Sequence, residues 1–108
     1  MKELELLGSE FAQIRYEQDV PIASVPAELV CGWFDDLYHP DTVDFQYAFS
    51  TAELSALADF SAFFNARIGE LPKTVRELVR RPAWQEVMRK ARDTLDFIQR
   101  KKPHSTSR

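Results

Sequence analysis

The chain has one cysteine, three glycines and two histidines in 108 residues. A single thiol, Cys31, excludes both an internal disulfide and a thiolate metal cluster within one chain. Its position inside a helical pattern marks it as a small core residue. Three glycines cannot supply a glycine-rich phosphate loop, and there is no Gly-x-Ser-x-Gly turn to present a nucleophilic serine. The apolar runs are a few residues long, far short of the ~20 that a membrane-spanning helix needs. The N-terminus reads Met-Lys-Glu-Leu-Glu, acidic where a secretory signal would be apolar, so a cytoplasmic protein with no membrane association is expected.

The most pronounced deficit is of positive charge. Tyr16 to Ala66 contains no Lys or Arg but nine carboxylates: Glu17, Asp19, Glu28, Asp35, Asp36, Asp41, Asp44, Glu53 and Asp59. Arg67 to Arg108 reverses this with twelve bases against five acids, and the whole chain carries a net charge of −3. Such asymmetry points to a charged partner, or to pairing of the two halves within one chain or across a dimer.

What the chain does have is enough apolar material for one core. A 44% hydrophobic and 29% charged composition fits a globular domain rather than a disordered segment. A chain of this length buries about two-thirds of its unfolded surface. Six of the thirteen aromatics fall between Trp33 and Phe49, in a stretch that also holds Asp35, Asp36, Asp41 and Asp44. Rings seek the interior and carboxylates seek water, so this stretch must form a boundary between the two.

Residues 1–17 admit two readings. Leu4, Leu7, Phe11 and Ile14 recur as one helical stripe, with Ser9 as an N-cap, while the alternation at Glu3–Leu6 and Ala12–Glu17 around Gly8-Ser9 suits a short β-hairpin. Val20 to Pro26 reads as an extended connection, because each proline disfavours helix at its predecessor. Pro26 then opens a helix to about Tyr38, stopped by Pro40, with Val30, Trp33, Phe34 and Leu37 on its inner side. His39 to Phe49 reads as a loop folded back over the core through Phe45, Tyr47 and Phe49. Ser50-Thr51-Ala52-Glu53 is a capping box starting a helix that should run to Pro72, with Leu54, Leu57, Phe60, Phe64, Ile68 and Leu71 inward. Thr74-Val75-Arg76-Glu77 is a second box, opening a short helix with Val75, Leu78 and Val79 inward. From Pro82 to about Gln99, Trp84, Val87, Met88, Ala91, Leu95 and Ile98 form an apolar stripe. Its outer face offers Glu86–Lys90, Arg89–Asp93 and Arg92–Asp96 pairs at four-residue spacing.

The expected architecture is therefore all-α, a small irregular bundle of four to five helices over residues 1–100, with the hairpin as the alternative for its N-terminus. Residues 101–108 read as a disordered basic tail.

His39 with Asp35 and Asp36 has the residue types of a hard-cation or acid–base site, but no third histidine or glutamate stands at matching spacing on another helix. A histidine at the end of a helix more often caps carbonyls. The basic residues Arg76, Arg80, Arg81, Arg89, Lys90, Arg92, Arg100, Lys101 and Lys102 have the charge for phosphate contacts, but without a nucleic-acid-binding signature. The sequence is best read as a non-enzymatic binding or regulatory domain without cofactor or metal. Its acidic aromatic surface, formed by Trp33, Asp35, Asp36, Tyr38, His39, Asp41 and Asp44, would dock a basic protein or a second copy of the chain. An enzyme built on His39 with Asp35 and Asp36, and nucleic-acid binding through the basic C-terminal helices, are the alternatives.

Overall fold

The computed structural model describes residues 2–19 and 24–101, with Lys2, Asp36 and Lys101 described as backbone only. The connection expected over 20–26 falls partly, at 20–23, and the tail almost wholly, at 102–108, outside the described residues. Among the described residues the protein is all-α, with no strand. The described residues form seven α-helices: α1 (Lys2–Leu7), α2 (Glu10–Asp19), α3 (Val25–Cys31), α4 (Val43–Ala48), α5 (Thr51–Arg67), α6 (Val75–Leu78) and α7 (Pro82–Lys101). A π-helical stretch, Gly32–Leu37, continues α3 without a break. The count exceeds the four or five expected because the N-terminus divides into two helices and the presumed loop at 39–49 contains α4.

Residues 2–7 and 10–19 are helical, and no hairpin forms among the described residues. The core takes Leu4 and Leu7, three apart, whereas a strand would have paired Leu4 with Leu6 on one side. The chain turns at Gly8-Ser9: the Gly8 N–H closes onto the Leu4 carbonyl (2.9 Å), and the Ser9 hydroxyl accepts from the Ala12 N–H (3.1 Å) to cap α2. This turn lies directly against α7. The Gly8 carbonyl accepts from Arg92 Nη1 (2.8 Å), and a Cβ built on Gly8 would sit 2.8 Å from Arg92 Cγ. The turn also breaks the expected stripe. Phe11 is 74% exposed and Ile14 half-buried, while Gln13 takes the fully buried position.

Gln13 repays its burial by satisfying three groups. Its Nε2 donates to the carbonyls of Leu6 (3.0 Å), which the Ser9 N–H also reaches (3.3 Å), and of Leu7 (3.1 Å) at the end of α1, and its Oε1 accepts from Trp84 Nε1 (3.0 Å). One side chain thus caps α1 and ties α2 to α7. Glu17 acts similarly one turn later, accepting the Val75 N–H (2.8 Å) at the start of α6. The Thr74 hydroxyl accepts from the Glu77 N–H (3.3 Å) at the same helix end.

The capping box at Ser50 forms in full, with the Glu53 N–H on Ser50 Oγ (3.1 Å) and the Ser50 N–H on Glu53 Oε1 (2.8 Å). Helix α5 stops at Arg67 rather than Pro72, followed by Gly69 at φ +53°, a left-handed conformation that glycine adopts without a Cβ clash. Ile68 and Leu71 still pack on the core from beyond the helix end. Helices α5 and α7 run antiparallel: Arg67 Nε pairs with Glu86 Oε1 (2.7 Å), and Phe63, one turn earlier on α5, meets Lys90, one turn later on α7 (Nζ 5.8 Å from the ring centroid), while Phe64 packs on Trp84 (ring centroids 5.7 Å apart). Glu86 therefore pairs across the helices instead of with Lys90 along α7, Arg92 is drawn to Gly8, and Asp96 pairs with Arg100 (2.7 Å). Helix α1 packs on another side of α7. Cys31 is exposed rather than in the core, since Val25, Leu29 and Trp33 occupy the inner side and Cys31 falls outside that row.

Replacing Gln13 with Leu keeps the volume but strips the Leu7 carbonyl and the Trp84 indole N–H of these partners and leaves the Leu6 carbonyl with the Ser9 N–H alone. The expected cost is about 2–4 kcal/mol, read as a lower urea midpoint with an unchanged slope. An unchanged midpoint would show that the glutamine's bonds are dispensable.

Candidate functional site

The acidic aromatic segment is built around Trp33, which the π-helix turns fully inward. Its indole N–H donates to the buried Ser61 hydroxyl on α5 (2.9 Å). The wider turn has a specific consequence. The Tyr38 N–H bonds to the Trp33 carbonyl (2.8 Å), five residues back, and the two rings stack with centroids 5.8 Å apart at 10°. In an α-helix residues five apart point about 140° from each other, so this stack depends on the π geometry.

From Trp33 the rings continue in both directions. Phe60 meets Trp33 edge-on (4.9 Å, 89°) and leads through Phe64 to Trp84. Outward, Tyr38 meets Phe45 edge-on (5.5 Å, 86°), and Phe45 leans on Phe49 (5.0 Å). Seven rings thus form one connected chain from the protein's interior to the underside of α4. Trp33 presents no surface to a partner and acts as a support, and Tyr38 is half-buried in the same role.

The segment 39–49 is not an irregular loop. Thr42 caps α4 by accepting from the Phe45 N–H (3.4 Å), and its own N–H (3.1 Å) and hydroxyl (2.9 Å) both bond the His39 carbonyl. Gln46 Nε2 reaches back to the Pro40 carbonyl (3.0 Å). The turn carrying Asp41 is therefore pinned at both sides. Asp44 lies in the first turn of α4, where the helix dipole favours a carboxylate. Of the three aromatics expected to fold inward, Phe45 is buried and Phe49 half-buried, but Tyr47 is 87% exposed. Val43, one turn before it, is 62% exposed. The two share the outer side of α4. Recognising Thr42 as an N-cap followed by Asp44 would have revealed this helix, and with it the outward Val43–Tyr47 pair.

Asp35, His39, Asp41 and Asp44 are all exposed. Among the described residues none of these four side chains forms an ion pair or hydrogen bond, so His39 does not cap its helix through its ring. The side chain of Asp36 lies outside the described residues. Other members of the acidic run are engaged elsewhere: Glu17 and Glu53 hold backbone N–H groups, and Asp19 lies 3.8 Å from Arg15. Among the described residues no three His, Cys, Asp or Glu side chains gather as metal ligands would. No helix among them is long and apolar enough to cross a membrane. On the basic side Arg67 and Arg92 are turned to internal partners, as is Arg81, which bonds the Glu70 carbonyl.

Removing the Ser61 hydroxyl tests how far the ring chain depends on the buried hydrogen bond of Trp33. Ser61→Ala is expected to cost about 1–3 kcal/mol in chemical unfolding and to alter the near-ultraviolet circular dichroism of the tryptophans. An unchanged spectrum and stability would show that Trp33 is held by packing alone. The chain matches no protein-family model, no curated protein and no solved structure, which leaves its own surface chemistry as the guide to function.

Proposed function

We propose that this is a non-enzymatic binding domain whose acidic surface, at the end of the π-helix and on α4, docks a basic protein. The observation that carries this reading is the state of Asp35, Asp41 and Asp44: exposed, and without a cation from the same molecule among the described residues. Neutralisation by the arginines of α6 and α7 would make them internal scaffolding, but Arg92 bonds the Gly8 carbonyl and Arg100 pairs with Asp96. Exposed carboxylates on a pinned turn steer and orient a cationic surface with little ordering cost. Tyr47 and Val43 beside them supply the apolar anchor that charge alone lacks, and tyrosine is favoured at such positions because two torsions fix a large contact area. Trp33 and Tyr38 contribute by holding the platform from below.

The test is affinity for the basic partner captured from the native cell. Changing Asp35, Asp41 and Asp44 together to Asn should weaken it on the order of tenfold or more and flatten its salt dependence. Tyr47→Ala should lower it by a similar factor. Glu70→Gln, a charge outside this segment, should leave it unchanged. Capture that persists undiminished after the triple change removes this reading.

A further inference from the structure

On a different face, α5 and α7 enclose a groove of about 460 Å³. The α5 wall consists of Ala52, Ser55, Ala56 and Asp59; the α7 wall carries Lys90, Asp93, Thr94 and Phe97. Two independent features suggest that something covers it. First, every side chain that α5 exposes between Ala52 and Ala66 is Ala, Ser, Asn or Asp, and Asp59 alone carries charge. A solvent-facing helix usually bears long charged side chains, whereas one apolar nearly all round is normally buried. Second, Thr94 lines the groove with only 5% of its surface exposed, yet its hydroxyl has no hydrogen-bond partner among the described residues. Buried hydroxyls are normally paired.

The charges on the walls identify the occupant. Asp59 and Lys90 stand on opposite walls and form no ion pair with each other; Lys90 Nζ lies 5.8 Å from the ring of Phe63, one turn along α5 from Asp59. Phe97, 37% exposed, stands opposite Ala52 and Ala56 at the other end, since the helices are antiparallel. A two-fold axis running along the groove, parallel to the helices, places α5 of one molecule on α7 of another while keeping each level unchanged. Lys90 then lies one turn from Asp59 of the second copy, twice over, and Phe97 meets the small side chains Ala52 and Ala56. Ser55 of the second copy comes near Asp93 and Thr94, whose hydroxyl gains a polar neighbour. The four helices form a bundle in which every adjacent pair is antiparallel.

From this geometry we propose that the α5–α7 groove is a self-association surface, closed by the same groove of a second copy of this chain in an isologous four-helix contact. The alanines of α5 let the backbones approach, Phe97 fills the space they leave, and the paired Asp59–Lys90 contacts set the register. A pair of helices about 25 Å long and 20 Å wide is at the small end of specific interfaces, so association on the order of micromolar is expected.

Sedimentation equilibrium of the full chain across a concentration series tests this. The wild type should pass from monomer to dimer. Ser55→Arg, an exposed position whose bulk blocks the approach of the second copy, should remain monomeric with an unchanged far-ultraviolet spectrum and melting temperature. Asp59→Lys should weaken the dimer about tenfold, and Asp59→Lys combined with Lys90→Asp should restore it, because the reversed charges again face each other. A monomer at several hundred micromolar overturns the proposal. So does a dimer indifferent to Ser55→Arg, or one that the charge exchange fails to restore.

Discussion

Two indole N–H groups must find acceptors in a core that otherwise contains little polar matter. Trp33 and Trp84 are both buried, and an unpaired donor there costs far more than a paired one returns. Trp33 finds Ser61 on α5, and Trp84 finds Gln13 on α2. Because Gln13 also holds the end of α1, one contact ties α1 and α2 to α7 while the other ties the π-helical stretch to α5, and Phe64 against Trp84 joins the two sets. The rings running from Phe49 to Trp84 supply the area, and these hydrogen bonds supply the directions.

The same arrangement makes the acidic segment firm. A surface patch of carboxylates on a mobile loop would lose entropy on docking. Here the turn from His39 to Thr42 is fixed by Thr42 and Gln46, and α4 rests through Phe45 on Tyr38 and Phe49. The outward residues inherit this order without being buried themselves. The acidic segment and the α5–α7 groove belong to different elements and share no side chain.

Periodicity in the sequence made the largest elements legible. The stripe of α7, the inner face of α5 and the start of α5 at Ser50 are local patterns, fixed by one helix against one core. The features that escaped are those set by distant neighbours. Gln13 looks like a surface residue of a poorly amphipathic helix until Trp84, 71 positions later, supplies its reason to be inside. Glu17 counted as part of the acidic run but belongs to the N-terminus of α6, 58 positions away. The stack of Trp33 on Tyr38 was hidden because the local period changes from α to π, and a wheel drawn at 100° per residue separates those rings. Of the candidate site, the exposed aspartates could be read from composition. The outward Val43 and Tyr47 are not legible from the Pro-Asp-Thr content of 39–49, which suggests an irregular loop where α4 forms.

Helix α7 touches both the beginning and the middle of the chain, through α1 and α5, and this bears on how the protein is made. A ribosome releases residues in order, so Phe60, Phe64, Leu4 and Leu7 emerge well before the helix that covers them. During that interval the nascent chain must carry its rings in a loosely collapsed form, within reach of chaperones and of other unfinished chains. Closure waits for the last twenty helical residues, and any pause in translation just upstream of Pro82 would prolong the vulnerable state.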